Sequence, residues 1–318
     1  MKKVNKGVLV AQVNIYRSVL ILLLICIVAS ILSKNFLSLS NLFNVIRQVA
    51  VGGLVAAGMT FVILTGGIDL SVGSIVGLTG ALCAGILKST DNMMLAILVA
   101  ITVGVLCGCI NGFFVAYCEI PAFIATLGMM TLLRGCVLVY TQGSPIAIKN
   151  AGYKSIGKGN LLGIPLPILF VVFFFLLGHY ILTKTAYGRA VYALGGSREA
   201  ARLSGIRTKL VEWMVYVING FMCAMAGIVL TSRLASAQST GGEGIEMDAI
   251  AAVILGGTSL SGGSGFILPT VVGAIIMGII DNLLTLMKID PHATNIVKGA
   301  VILLAVLVDK KVNELSDR

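Results

Sequence analysis

Residues 93–117 read Met93-Met-Leu-Ala-Ile-Leu-Val-Ala-Ile-Thr-Val-Gly-Val-Leu-Cys-Gly-Cys-Ile-Asn-Gly-Phe-Phe-Val-Ala-Tyr117, a run without one charged side chain. About 20 apolar residues in a helix cross the ~30 Å of a bilayer's hydrocarbon, so this stretch predicts a membrane span. The pattern recurs outward in both directions. Further spans are predicted at 18–33, 44–64, 72–87, 122–140, 164–182, 210–231, 249–260, 267–287 and 293–308, about ten in all. The shortest and most Gly-rich are 72–87 and 249–260. Across the 318 residues, 58% are hydrophobic and 11% charged, and mean hydropathy is +1.02. A soluble domain carries roughly 25% charged residues, so a water-soluble enzyme is excluded. Disorder, which needs low hydrophobicity and high charge, is excluded too. The fold class is all-α, a polytopic membrane helical bundle.

Seven cysteines (Cys26, Cys83, Cys107, Cys109, Cys118, Cys136 and Cys223) sit in or beside apolar blocks without C-x-x-C spacing. That pattern indicates neither a disulfide framework nor a zinc site. The first apolar block follows Lys2, Lys3, Lys6 and Arg17 and runs into Lys34 without a small-x-small cleavage site. It reads as an uncleaved first span rather than a signal peptide. Lys and Arg concentrate on cytoplasmic loops. With the N-terminus inside, inner segments hold 13 of them and outer loops 7. The expected layout is a cytoplasmic segment 1–17, a transmembrane region 18–309 with a cytoplasmic loop 183–209, and a cytoplasmic tail 310–318, both termini inside. The net charge of +10 is thereby a matter of topology, not of nucleic-acid binding.

An internal repeat interrupts the helical pattern. Gly66-Gly-Ile-Asp-Leu-Ser-Val-Gly-Ser74 and Gly256-Gly-Thr-Ser-Leu-Ser-Gly-Gly-Ser264 align without a gap at an offset of 190, six of nine positions identical. Paired glycines with Ser and Asp break a helix. Broken backbone at membrane depth must be satisfied by protein or a wet cavity, and such repeats are a hallmark of transporters. Two readings stand: tight turns at the membrane surface, or discontinuous helices near a solute path. With six spans between them, both copies are expected on the same side. Asp69 is suited to hold its break by accepting backbone N–H bonds, a proton relay being the alternative. Asp281 and Lys298, on the last two spans, are positioned to pair, as charges in lipid require. Gly104, Gly108 and Gly112 predict close helix packing.

In the loop 183–209, Ser197 is a good N-cap after Gly195 and Gly196, Glu199 suits the first turn, and Gly205 is placed to end a helix. A two-turn helix over Arg198–Ser204 follows. Ala200, Leu203 and Ser204 form a small face, and Arg198, Glu199 and Arg202 surround it. A helix so short is marginal alone, which points to docking on a partner.

At this point the chain resembles the sugar permeases of ABC importers, of the ribose/galactose/xylose type. The resemblance is carried by Thr60–Ser74, Ala122–Met130, Val139–Pro145, Gly188-Arg189, Ala193–Ile206, Asp248–Gly263 and Val297–Asp309. It implies an inner-membrane permease for a monosaccharide, ribose first, that forms the translocation path as two copies. It also implies a separate cytoplasmic ATPase holding ATP-Mg and an extracytoplasmic sugar-binding protein. Gly188, Arg189, Gly195, Gly196, Ser197, Arg198, Glu199, Ala200, Leu203 and Gly205 are then the ATPase-coupling residues. Candidates for the path are Asp69, Ser71, Asn111, Thr126, Asn219, Ser259 and Asn282, since a neutral sugar needs hydroxyl partners. Glu243, Glu246 and Asp248, on an outer loop, are candidates for docking the binding protein by charge complementarity.

No G-x-x-x-x-G-K-[ST] loop, G-x-S-x-G or H-E-x-x-H occurs, so no cofactor, metal or catalytic residue is expected in this chain. His179 and His292 are far apart, and Trp213 fits an interfacial anchor. The rival reading is an ion-coupled secondary transporter, motivated by the repeat and Asp69. A membrane enzyme has no residue cluster to support it.

Overall fold

A computed structural model describes residues 6–316, with side chains for 18–290, 293–304 and 307. The tail residues counted in the charge asymmetry, and the side chain of His292, lie outside that set. The helices are α1 (Lys6–Leu32), α2 (Leu39–Leu64), α3 (Val72–Thr90), α4 (Met93–Gly112), α5 (Ala122–Thr141), α6 (Ala151–Lys158), α7 (Leu166–Lys184), α8 (Ala186–Gly196), α9 (Arg198–Leu203), α10 (Thr208–Leu234), α11 (Ile245–Leu255), α12 (Ile267–Leu286) and α13 (Pro291–Ser316). A π-helical turn, Phe113–Tyr117, extends α4.

Seven of these are long and apolar enough to cross a membrane: α2, α3, α4 with its π turn, α5, α7, α10 and α12. The apolar parts of α1 and α13 are shorter, Ser18–Leu32 and Ala293–Leu304. The expected span 249–260 needs correction. Its helix, α11, runs for 11 residues and stops at Leu255. At ~1.5 Å per residue it is about 16 Å long, half of what a crossing needs. The reason lies in the sequence: Gly256 and Gly257 end it, Gly257 at φ 83°. The other short prediction, 72–87, is a full helix of 19 residues.

The centre of the bundle is α2 against α10. From Ala50 to Leu64 every residue of α2 is buried except Gly52. Beside them, α4 presents Gly104, Gly108 and Gly112 to α10. A Cβ at Gly104 would stand 2.6 Å from the Gly220 carbonyl, and one at Gly112 2.8 Å from that of Trp213. Small residues let two backbones approach, and dispersion over that contact drives association in lipid. Outer helices turn large apolar groups outward, such as Phe123 at 56%, Ile124 at 60% and Val139 at 79% exposure on α5. Apolar cover on that scale suits lipid, not water.

Contacts divide the connections into two ends. At one, β1 (Ile146–Ala147) pairs with β4 (Ser236–Ala237), Asn150 bonds Asp91, and Arg47 reaches the Lys158 carbonyl. Beyond α6, β2 (Asn160–Leu161) and β3 (Ile164–Pro165) form a small hairpin. At the other end lie both glycine breaks and the α8–α9 segment.

Candidate functional site

The two breaks are built alike and touch. After α2, Gly67 N–H bonds the Val62 carbonyl at 3.1 Å and Gly66 takes φ 81°; after α11, Thr258 N–H bonds the Val253 carbonyl at 3.2 Å and Gly257 takes φ 83°. Each helix thus ends in a glycine-capped turn of the Schellman kind. In these caps Gly66 corresponds to Gly257, one residue off the gapless sequence alignment. The register is restored in the turn that follows. Ser71 N–H bonds Asp69 Oδ1 at 2.9 Å, and Ser261 N–H bonds Ser259 Oγ at 3.3 Å. The copies sit on the same end and join directly, Gly263 N–H to the Leu64 carbonyl at 2.9 Å.

Onto this junction packs the α8–α9 segment. A Cβ at Gly195 would collide with the Leu64 carbonyl and with Gly263 N, and one at Gly263 would lie 2.7 Å from Gly196 N. Tyr192 on α8 donates to the Gly265 carbonyl at 2.8 Å. Three glycine-bearing stretches therefore meet backbone to backbone, with no side chain between them.

Helix α8 was not anticipated within the loop. Thr185 caps it by accepting from Gly188 N–H, and its buried face is Gly188, Val191 and Leu194. The i, i+3, i+6 spacing was the available signal. Gly188 is there because a Cβ would strike the Ile181 and Leu182 carbonyls, while Arg189 points outward.

The short helix forms where expected. Ser197 Oγ accepts from Ala200 N–H at 3.2 Å, and Gly205 at φ 81° closes the end. Ala201 anchors it at 3% exposure. Arg198, Glu199, Ala200, Arg202, Leu203 and Ser204 stand out from the body, Leu203 at 76% exposure. Arg198 pairs with Glu212 of α10, which fixes the knob's base. Nearby, Lys209 Nζ lies 2.9 Å from Glu119 Oε1. Its hydrogen bond, then its charge, hold that carboxyl below the usual range.

Five path candidates come together, deep in the protein. Asp69 is fully buried; Oδ1 accepts from Ser71 N–H at 2.9 Å and Ser71 Oγ–H at 2.6 Å, and Oδ2 accepts from Asn219 Nδ2 at 2.9 Å. Asn111 Nδ2 donates to Ser71 Oγ at 2.7 Å. Thr126 Oγ1 accepts from Leu70 N–H at 3.1 Å and lies 3.2 Å from the Ile68 carbonyl. Helices α4, α5 and α10 thus each send one polar group to the first break. Ser259 belongs to the second break. Asn282 is far away, exchanging two hydrogen bonds with Asn41 at 2.9 and 2.8 Å between α12 and α2.

The acidic candidates separate. Glu243 is exposed and Glu246 half-buried. Asp248, on the first turn of α11, is 15% exposed and held by Lys298 at 2.8 Å; Lys298 also bonds Asp281 at 2.8 Å. The expected Asp281–Lys298 pair is therefore a triad. It borders a cavity of about 190 Å³ between α2, α10, α11, α12 and α13, lined also by Gln48 and Arg233. At its outer side Arg47, Lys158 and Arg233 flank a second cleft of about 330 Å³.

The family model for "branched-chain amino acid transport system / permease component" matches residues 41–306. The chain belongs to this permease family. The ribose import permease of Escherichia coli K12 is 46% identical over 302 residues, 93% of each chain. That of Bacillus subtilis 168 is 49% identical over 292 residues, 91% of each. The xylose transport system permease protein of Escherichia coli K12 is 35% identical over 340 residues, 86% of each. No solved structure matches. The permease has polar groups that the sequence reading did not single out: Arg47 within a predicted span, Gln48 beside it, Asn41 opposite Asn282, and Arg233 at the cavity. Arg47 and Gln48 are readable as polar interruptions of the 44–64 block; the partners of Arg47, Lys158 and Asn160, are not, being 111 and 113 residues away.

Proposed function

We propose that the chain is the membrane subunit of an ATP-driven importer of a monosaccharide, ribose first. The observation that carries this is the likeness to two ribose import permeases over more than nine-tenths of the length, at 46–49% identity. The family model is described for branched-chain amino acids, but the whole-length relatives are sugar permeases. In this reading the bacterial inner membrane holds ten crossing segments, α11 and its break counted as one, with both termini cytoplasmic. Two copies enclose the path. A cytoplasmic ATPase supplies ATP-Mg, and an extracytoplasmic binding protein delivers the sugar at the opposite end.

Support for coupling comes from the knob. Leu203, ringed by Arg198, Glu199 and Arg202, offers one apolar group in a charged rim on the same end as both breaks. A partner that moves it moves the junction of Gly195, Leu64 and Gly263, because their backbones are already in contact. The ion-coupled alternative has less support, since both oxygens of Asp69 are occupied by fixed donors. The test is reconstitution with and without the ATPase. Sugar uptake that needs ATP and the partner is the expected result; uptake by the permease alone, or uptake abolished by an ionophore, refutes the reading.

A further inference from the structure

Beyond the breaks, one cavity among the described residues joins room with unpartnered hydrogen-bonding atoms and the start of a half-length helix. It is the cavity at the N-terminal end of α11. Half-length helices in a transporter bundle mark solute sites, because their free ends and the space beside them face a wet path. α11, with 11 residues, is such a helix.

The cavity's lining carries five charged side chains, Arg233, Glu243, Asp248, Asp281 and Lys298, and the last three are spent on one another. Lys298 binds Asp248 Oδ2 and Asp281 Oδ1, both at 2.8 Å. Two groups are left over: Asp248 Oδ1, an acceptor, and Arg233 Nε, a donor, each buried without a hydrogen-bond partner among the described residues. Gln48 lines the same space and has no side-chain hydrogen bond there either; its amide both donates and accepts. Buried polar groups in proteins are nearly always partnered, so an unpartnered acceptor and an unpartnered donor on two residues that line one cavity, with an amide beside them, point to a ligand that offers both kinds of group.

A sugar hydroxyl donates and accepts at once. A neutral polyol therefore meets all three without separating Lys298 from its two carboxylates. The volume, about 190 Å³, equals roughly six waters at ~30 Å³ each, the scale of one sugar ring.

We propose that this cavity, bounded by Gln48, Arg233, Asp248, Asp281 and Lys298, is a monosaccharide subsite on the import path. The proposal rests on the importer reading and adds to it where the sugar is held. Gly52, one turn along α2 from Gln48, lines the cavity, and a Cβ there meets nothing within 4 Å. A cysteine at this position fits, and a thiol reagent then fills the space after the protein has folded.

The experiment uses the permease assembled with its ATPase and binding protein in proteoliposomes. Gly52→Cys is treated from outside with a membrane-impermeant thiosulfonate, beside wild type treated identically. Expected is at least a tenfold fall in ribose uptake relative to the treated wild type, with modification slowed by excess ribose and not by leucine. Gln48→Leu, similar in size but unable to hydrogen-bond, is expected to lower uptake at least tenfold at limiting sugar. No block in the modified protein, a block that ribose does not slow or that leucine slows equally, or wild-type uptake in Gln48→Leu overturns the subsite. A wild-type complex that moves no sugar overturns the importer reading, and the subsite falls with it.

Discussion

Asn219→Ala tests whether the polar network at the first break is structural. Asn219 Nδ2 is the donor to Asp69 Oδ2, at 2.9 Å, in a site where both residues are fully buried. Removing it leaves one carboxylate oxygen without a donor while Ser71 still serves the other. Removing one partner of a buried hydrogen bond costs about 1–3 kcal/mol, and more when the stranded group is charged. The expected loss is therefore about 3 kcal/mol. An SDS titration of the solubilised chain, followed by the fluorescence of Trp213, measures it; this tryptophan is unique and bonds the Cys109 carbonyl at 3.0 Å. Combining Asn219→Ala with Asp69→Ala closes a double-mutant cycle. The double mutant should lose less than the sum of the singles, by about 1–3 kcal/mol, because contacting residues couple in this range. A loss under ~1 kcal/mol for Asn219→Ala, or singles that simply add, refutes the assignment.

Leu203→Asp should weaken association with the ATPase by at least tenfold, since burying a leucine contributes about 1.5–3 kcal/mol and 1.4 kcal/mol is a decade in Kd. Titration of the partner onto the solubilised permease reads it, with circular dichroism reporting the helix content; unchanged affinity counts against the knob. Gly108→Leu should cost more than ~1–3 kcal/mol, because its side chain runs into the Tyr216 carbonyl and Val217 rather than into space. A wild-type apparent melting temperature in detergent would show that α4 and α10 do not pack as described.

Much of the architecture was written in the apolar blocks. Length and lack of charge decide a span to first order, so α2, α3, α4, α5, α7, α10 and α12 were found close to their observed bounds. Capping decided α9, because Ser197 and Gly205 act on their immediate neighbours. What escaped was decided by contacts distant in the chain. The run at 249–260 is the exception: its helix is shifted to Ile245–Leu255 by a local cap at Gly256 and Gly257, and a hydropathy count does not weigh φ. In the sequence, Asp69, Ser71, Asn111, Thr126 and Asn219 stand as single polar groups. That they share one network depends on α4, α5 and α10 converging on the same turn. Asp248 was read with an exposed acidic loop because Glu243 and Glu246 precede it; the start of α11 instead turns it inward to Lys298, 50 residues on.

The position of α11 connects these sites mechanically. Its C-terminal end leads at once into the turn where Gly262 and Gly263 press on Leu64, Gly66 and Gly196. Its N-terminal turn carries Asp248, which closes one side of the cavity. Between them lie Ala249 to Leu255, and all but Ile250 are buried against α2 and α12. A helix of ~16 Å is stiff over its own length, and packed interiors transmit displacement rather than absorb it. In the proposed importer, a shift imposed at the α8–α9 knob would reach the second break through backbone contact and pass along α11 to Asp248. The same shift reaches the first break at Leu64 and Gly66, but there the far end of α2 lies a full span away, at Asn41 and its bonds to Asn282. The half-length helix is the shorter route from the glycine junction to the cavity, about 16 Å against the full span of α2.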